Sequence, residues 1–169
     1  MSAIRQQYHV SAENAVNEQV SNLMNASYAY LNIAYYFDRS DVALENLHKH
    51  FEKLAEKKQA MYEKLLKYQN VRGGRIVLQA IQKPEHEHFT SPENALQVAL
   101  QIEQGLNEKF IGLHEIADKT NDAHFSDMVE EDLLDAQVQE IKSLADLLTS
   151  CKRAGSGLGV FMFDKELED

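Results

Sequence analysis

The chain has 169 residues, 44% of them hydrophobic, with seven glycines, two prolines, one cysteine and a formal charge of −10 from 27 acidic and 17 basic side chains. That length suits one domain able to bury roughly two thirds of its unfolded surface, while the composition excludes a disulfide framework, a CxxC redox or metal site and a disordered chain. The acidic balance disfavours nucleic acid and anionic membranes and leaves cations as the natural small partners.

The opening MSAIRQQYHV has no apolar signal core, and no run approaches the 18 or so apolar residues of a membrane span, so a cytoplasmic protein is expected. A first helix is predicted from Ser11, the expected N-cap with Glu13 in the first turn, to about Phe37; its stripe is Val16, Val20, Leu23, Ser27, Tyr30 and Ala34. A second is predicted over about 41–71, opening near Ser40 and Asp41 and stopping at Gly73 and Gly74. Its stripe reads Leu44, Leu47, Phe51, Leu54, Met61, Leu65 and Tyr68, and the step between Leu54 and Met61 is filled by Lys58.

Residues 72–90, RGGRIVLQAIQKPEHEHFT, carry no helical period. A thirty-residue helix is about 45 Å long, so this segment is long enough to run back along it, which makes the helices on either side parallel. A third helix, over about 92–119, has Ser91 as N-cap and Pro92 at the first helical position. Its stripe is Leu96, Ala99, Glu103, Leu106, Phe110, Leu113 and Ala117. The fourth, over about 122–152, has Glu130, Leu134, Gln137, Ile141, Leu144, Leu148 and Cys151, the last read as a structural thiol. A short fifth helix follows GSG, over about 158–167. These patterns predict an all-α domain covering residues 1–169: a four-helix bundle with one long crossover and a short C-terminal helix.

Each long helix presents one polar residue within its apolar stripe: Tyr30, Lys58, Glu103 and Gln137. Three readings follow. The four can form an inert buried contact with Lys58 paired to Glu103, a functional metal site of the kind bundles hold between facing helices, or a set at the rim of the stripes that reaches solvent. Asp127 and Glu130, three residues apart, share a helix face and read as a solvated acidic surface or as a cation site at a subunit junction. His114 is a surface or junction histidine, and His86 and His88 lie in the crossover, where an i, i+2 pair is a weak metal signal. No G-x-S-x-G, P-loop or Cys/His nucleophile spacing is present.

NASYAYLNIAYYFDRSDVAL (residues 25–44), KYQNVRGGRIVLQAIQKP (67–84) and FMFDK (161–165) closely resemble the animal ferritin subunit, and the likeness runs from RQQYH at Arg5 to the last residues. The resemblance implies a shell of twenty-four subunits, homomeric or mixed with heavy-type subunits, that admits Fe(II) and stores it as a ferric oxide mineral without an organic cofactor. Heavy-type subunits oxidise iron at a di-iron centre inside the bundle. By position, that centre would have a glutamate at Leu23, a glutamate at Lys58 and a histidine at Met61; only Glu103, Gln137 and the nearby Tyr30 match. Light-type subunits similarly place a lysine at the helix-two position. The resemblance therefore implies a vestigial centre occupied by Lys58, with a rearranged active site around Glu103, Gln137 and Glu56, or a scaffold with no mineral function, as the competing readings.

It further implies that Asp127 and Glu130, with His114 close by, line a threefold channel that admits iron, Ser126 standing where a cysteine is frequent. Glu56 and Glu63 remain from the light-type cavity cluster as weak metal sites, but Lys53, Lys57 and Ala60 make that surface less acidic. Leu158, Met162 and Glu166 would lie along the fourfold axis, reached by the short linker AGSGLG.

Overall fold

In the computed structural model, which describes residues 2–167, the amphipathic stripes form α1 (Val10–Phe37), α2 (Glu45–Val71) and α3 (Pro92–Lys119). A fourth rod follows as α4 (Ala123–Val129), a π-helical turn (Glu130–Leu134) and α5 (Asp135–Ala154), and α6 (Leu158–Lys165) closes the chain. The described residues contain no strand.

The direction of each rod follows from what it touches. Tyr8 reaches Gln69 at 2.6 Å, Ser27 reaches the Ala55 carbonyl at 2.9 Å, and the Leu44 amide donates to Phe37, so α2 runs antiparallel to α1. The crossover then returns along α1 on three asparagines. Asn17 donates to the Arg75 carbonyl and accepts from the Val77 amide, Asn25 accepts from Gln82, and Asn32 donates to the His86 carbonyl. These polar residues satisfy an extended segment that has no ladder partner. α3 thus starts where α2 started and lies parallel to it; Lys109 comes back to Asn22 at 3.0 Å. The fourth rod is antiparallel to α3, with Gln137 on Glu103 and Lys152 near Glu93.

Three local expectations are corrected. α1 begins at Val10, with the His9 ring nitrogen accepting from the Ser11 amide in place of a Ser11 cap. α2 begins at Glu45 and not near Asp41, because Asp41 is held in a turn by Arg39 and Ala43 takes a positive φ of 52°. The first amides of α2 are capped from far away: Leu47 N donates to Asp164 Oδ1 at 2.8 Å, and Asp164 is buried. The third concerns the fourth rod. Its buried residues are Phe125, Met128, Val129, Leu133 and Gln137, then Leu144, Leu148 and Cys151, whereas Glu130 is exposed and Leu134 and Ile141 are half-buried. Phe125 to Gln137 covers twelve residues in three turns, and an α-helix would need about 10.8; the π turn absorbs the difference.

The apolar core falls into two clusters, one around Phe37, Phe51 and Leu96, the other around Leu23, Phe110 and Phe125. Lys58, Glu103 and Gln137 lie between them on their helices: Lys58 between Leu54 and Leu65, Glu103 between Ala99 and Leu106, Gln137 between Leu133 and Leu144.

Candidate metal centre

The stripe polar residues of all four rods converge on Glu103, which has no exposed surface. Lys58 Nζ donates to Glu103 Oε2 at 2.8 Å, and the Gln137 amide donates to the same oxygen and to the Glu103 main-chain oxygen at 2.8 Å. The Tyr30 hydroxyl donates to Oε1. Burial drives the Tyr30 phenol well above its ordinary range, reinforced by the charge of Glu103 and the hydrogen bond to it, so the hydroxyl is a fixed donor. Both carboxylate oxygens are engaged, and the lysine supplies the positive charge that a buried carboxylate requires. As arranged, the group offers a divalent cation no disengaged carboxylate oxygen.

The residues beside it are apolar. Leu23 is fully buried on α1, two turns before Tyr30, and Met61 is half-buried one turn after Lys58. Among the described residues, no group of three or more His, Cys, Asp and Glu side chains is arranged to hold a metal ion. Glu56 and Glu63 are exposed on α2, Glu63 accepting from Gln59 at 3.1 Å. Around them Lys57 pairs with Glu140 at 3.1 Å and Lys64 with Asp132 at 2.9 Å, tying α2 to the fourth rod. These two cross-links were not read from the sequence, although the seven-residue spacing of the lysines was a usable signal.

At the junction of α3 with the fourth rod, His114 Nε2 lies 2.6 Å from Glu130 Oε1 and 2.9 Å from Ser126 Oγ, while Nδ1 is 3.5 Å from Asp118. Asp127 and Glu130 are both exposed. Asp118, Ser126 and Asp127 share the wall of an open surface hollow. Ser126 is the member that sequence reasoning treated only as a replacement; here it joins His114 to the acidic face. His86 and His88 are exposed in the crossover, and Cys151 is buried, its thiol pushed up by that burial.

Residues 13–154 match the model of the ferritin-like domain. The chain belongs to the ferritin family. Among its relatives, soma ferritin of Lymnaea stagnalis is 46% identical over 166 residues, covering 98% of this chain and 95% of that protein. The ferritin light chain, oocyte isoform, of Xenopus laevis is 43% identical over 167 residues, covering 97% and 94%. The helical bundle, the long crossover and the short last helix are thus those of a ferritin subunit, and iron storage is the function that accompanies this membership.

Proposed function

We propose that this chain is a light-type storage subunit: a member of a twenty-four-subunit cytoplasmic shell that holds ferric mineral, lacks a complete ferroxidase centre and takes its fast iron oxidation from co-assembled heavy-type subunits. The observation that carries this reading is the Lys58–Glu103 pair at 2.8 Å in the closed core. A cation already occupies the place where a metal would need the Glu103 carboxylate, and the positions that would complete a ligand set hold Leu23 and Met61. An iron ion would have to displace the ammonium from a carboxylate that has no other charge partner, which is unfavourable in a low-dielectric site.

Iron is cargo in this reading. Asp127 and Glu130 face solvent and draw cations toward the junction, and His114 braces Glu130. Glu56 and Glu63 are weak stopping points on the cavity side, since Lys53, Lys57 and Ala60 make that surface less acidic. Assembly is supported by apolar side chains that the single subunit leaves in water: Tyr28, Leu31 and Tyr35 on α1, and Leu78 and Ile81 on the crossover. Leu158 and Met162, also exposed, extend the same argument to α6.

The test is Fe(II) oxidation in air, followed by ferric absorbance, for the purified protein alone and after co-assembly with heavy-type subunits. The reading expects slow, unsaturable oxidation alone, rapid oxidation in the mixture and a mineral core in both. Fast saturable turnover by the purified protein would instead indicate an active ferroxidase, and a shell that never retains iron would remove the storage role.

A further inference from the structure

The Glu103 cluster leaves one polar atom unmatched. Gln137 is 1% exposed; its Nε2 serves Glu103 twice, and its Oε1 has no hydrogen-bond partner. The orientation of the amide is fixed by those contacts, because a flip would set its oxygen against two Glu103 oxygens. A buried acceptor with no donor is costly, and such groups are normally satisfied by water or a ligand.

Gln137 also forms part of the wall of a half-open cleft of about 250 Å³ between α2 and α5, together with Ala60, Met61 and Ala136. The walls are mainly carbon, and the charges are neutralised in pairs, Lys57 with Glu140, Lys64 with Asp132 and the buried Lys58 with Glu103. A ligand suited to this cleft is uncharged, mostly apolar and equipped with one hydrogen-bond donor. Its size is also bounded: an apolar cavity of about 150 Å³ accepts benzene, so the cleft has room for a six-membered ring carrying a hydroxyl. Met61 is unbranched, flexible and favourable against an aromatic ring.

We propose that this cleft binds small neutral phenols, the ring lying against Met61, Ala60 and Ala136 and the hydroxyl donating to Gln137 Oε1. The cleft shares Gln137 and Met61 with the vestigial centre and so rests on the storage reading, but its test reads ring binding and not iron oxidation, so the two can fail separately.

The experiment is titration calorimetry on the assembled protein with phenol and, for comparison, with anisole, which keeps the ring and lacks the donor. The Ala136→Phe variant is run in parallel, since Ala136 is exposed and takes no part in the Glu103 hydrogen bonds. Saturable phenol binding, binding of anisole about tenfold weaker as expected for one lost hydrogen bond, and loss of phenol binding when the cleft is filled would support the site. Absence of saturable binding, equal affinity for anisole, or undiminished binding by Ala136→Phe would overturn it. Should that variant not fold, a crystal of the parent soaked in phenol decides: a phenol oxygen at hydrogen-bond distance from Gln137 Oε1 supports the site, and any other location or no phenol overturns it.

Discussion

Glu103 and Glu130 each meet a nitrogen base, Lys58 and His114 respectively, yet one has no exposed surface and the side chain of the other is 56% exposed. At Glu103 the partners close around the carboxylate from the three other rods, and Lys58 is itself 2% exposed. At Glu130 the only side-chain partner among the described residues is His114, itself held by Ser126, and Asp127 beside it is in water. A carboxylate in the first setting depends on its partners and cannot be shared with an ion from outside. One in the second is screened, weakly held and available to a passing cation. In the proposed reading the same side chain serves cohesion in one place and attraction of cations in the other, and burial decides which.

The largest effect should come from separating the buried pair. Lys58→Met is expected to cost about 3–5 kcal/mol in chemical unfolding, because it strands a buried charge. Adding Glu103→Gln to it should recover much of that loss, and a strictly additive double variant would contradict the coupling. Tyr30→Phe removes one donor to Glu103 and leaves the other two, with an expected loss of about 1–3 kcal/mol in the same assay.

At the junction the pattern should reverse. Asp127→Asn with Glu130→Gln should leave stability within about 0.5 kcal/mol, while lowering the initial rate of Fe(II) uptake about tenfold at low salt and less at high salt. A stability loss comparable to that of Lys58→Met would erase the contrast between the two regions.

The smallest effect concerns His50, whose ring is held below its ordinary pKa chiefly by burial, with Lys57 and Lys53 adding to the shift and Glu140 opposing it. The unfolded chain takes up this proton below pH about 6.5 and the folded chain does so only at lower pH. Folding stability therefore falls as pH drops below that value and is unaffected by this group above it. His50→Phe should flatten part of that acid-side decline in unfolding curves measured across the range.

Much of the bundle was legible because three of its stripes keep an α-helical period from end to end. Those of α1, α2 and α3 can be followed residue by residue, and Ser91 with Pro92 marks a start that local chemistry alone determines. What could not be read was non-local. The cap of α2 comes from Asp164, 117 residues beyond the Leu47 amide it accepts from, and the crossover rests on asparagines that look like interruptions of a helix. The π turn is a shift in period, and extrapolating the α-helical phase back from Gln137 put Glu130 on a buried face that belongs to Val129 and Leu133. At the centre, spacing was enough to bring Tyr30, Lys58, Glu103 and Gln137 onto inward faces. The Lys58–Glu103 pair was one of the three arrangements that spacing allowed, whereas the unmatched amide oxygen depended on distances of a few tenths of an ångström.

In the proposed reading Lys58 stands in the place of a metal. The most direct test is to compare Fe(II) oxidation by the parent with that by the triple variant Leu23→Glu, Lys58→Glu and Met61→His. A slow parent and a fast, saturable variant is the predicted result, and a parent as fast as the variant would contradict it.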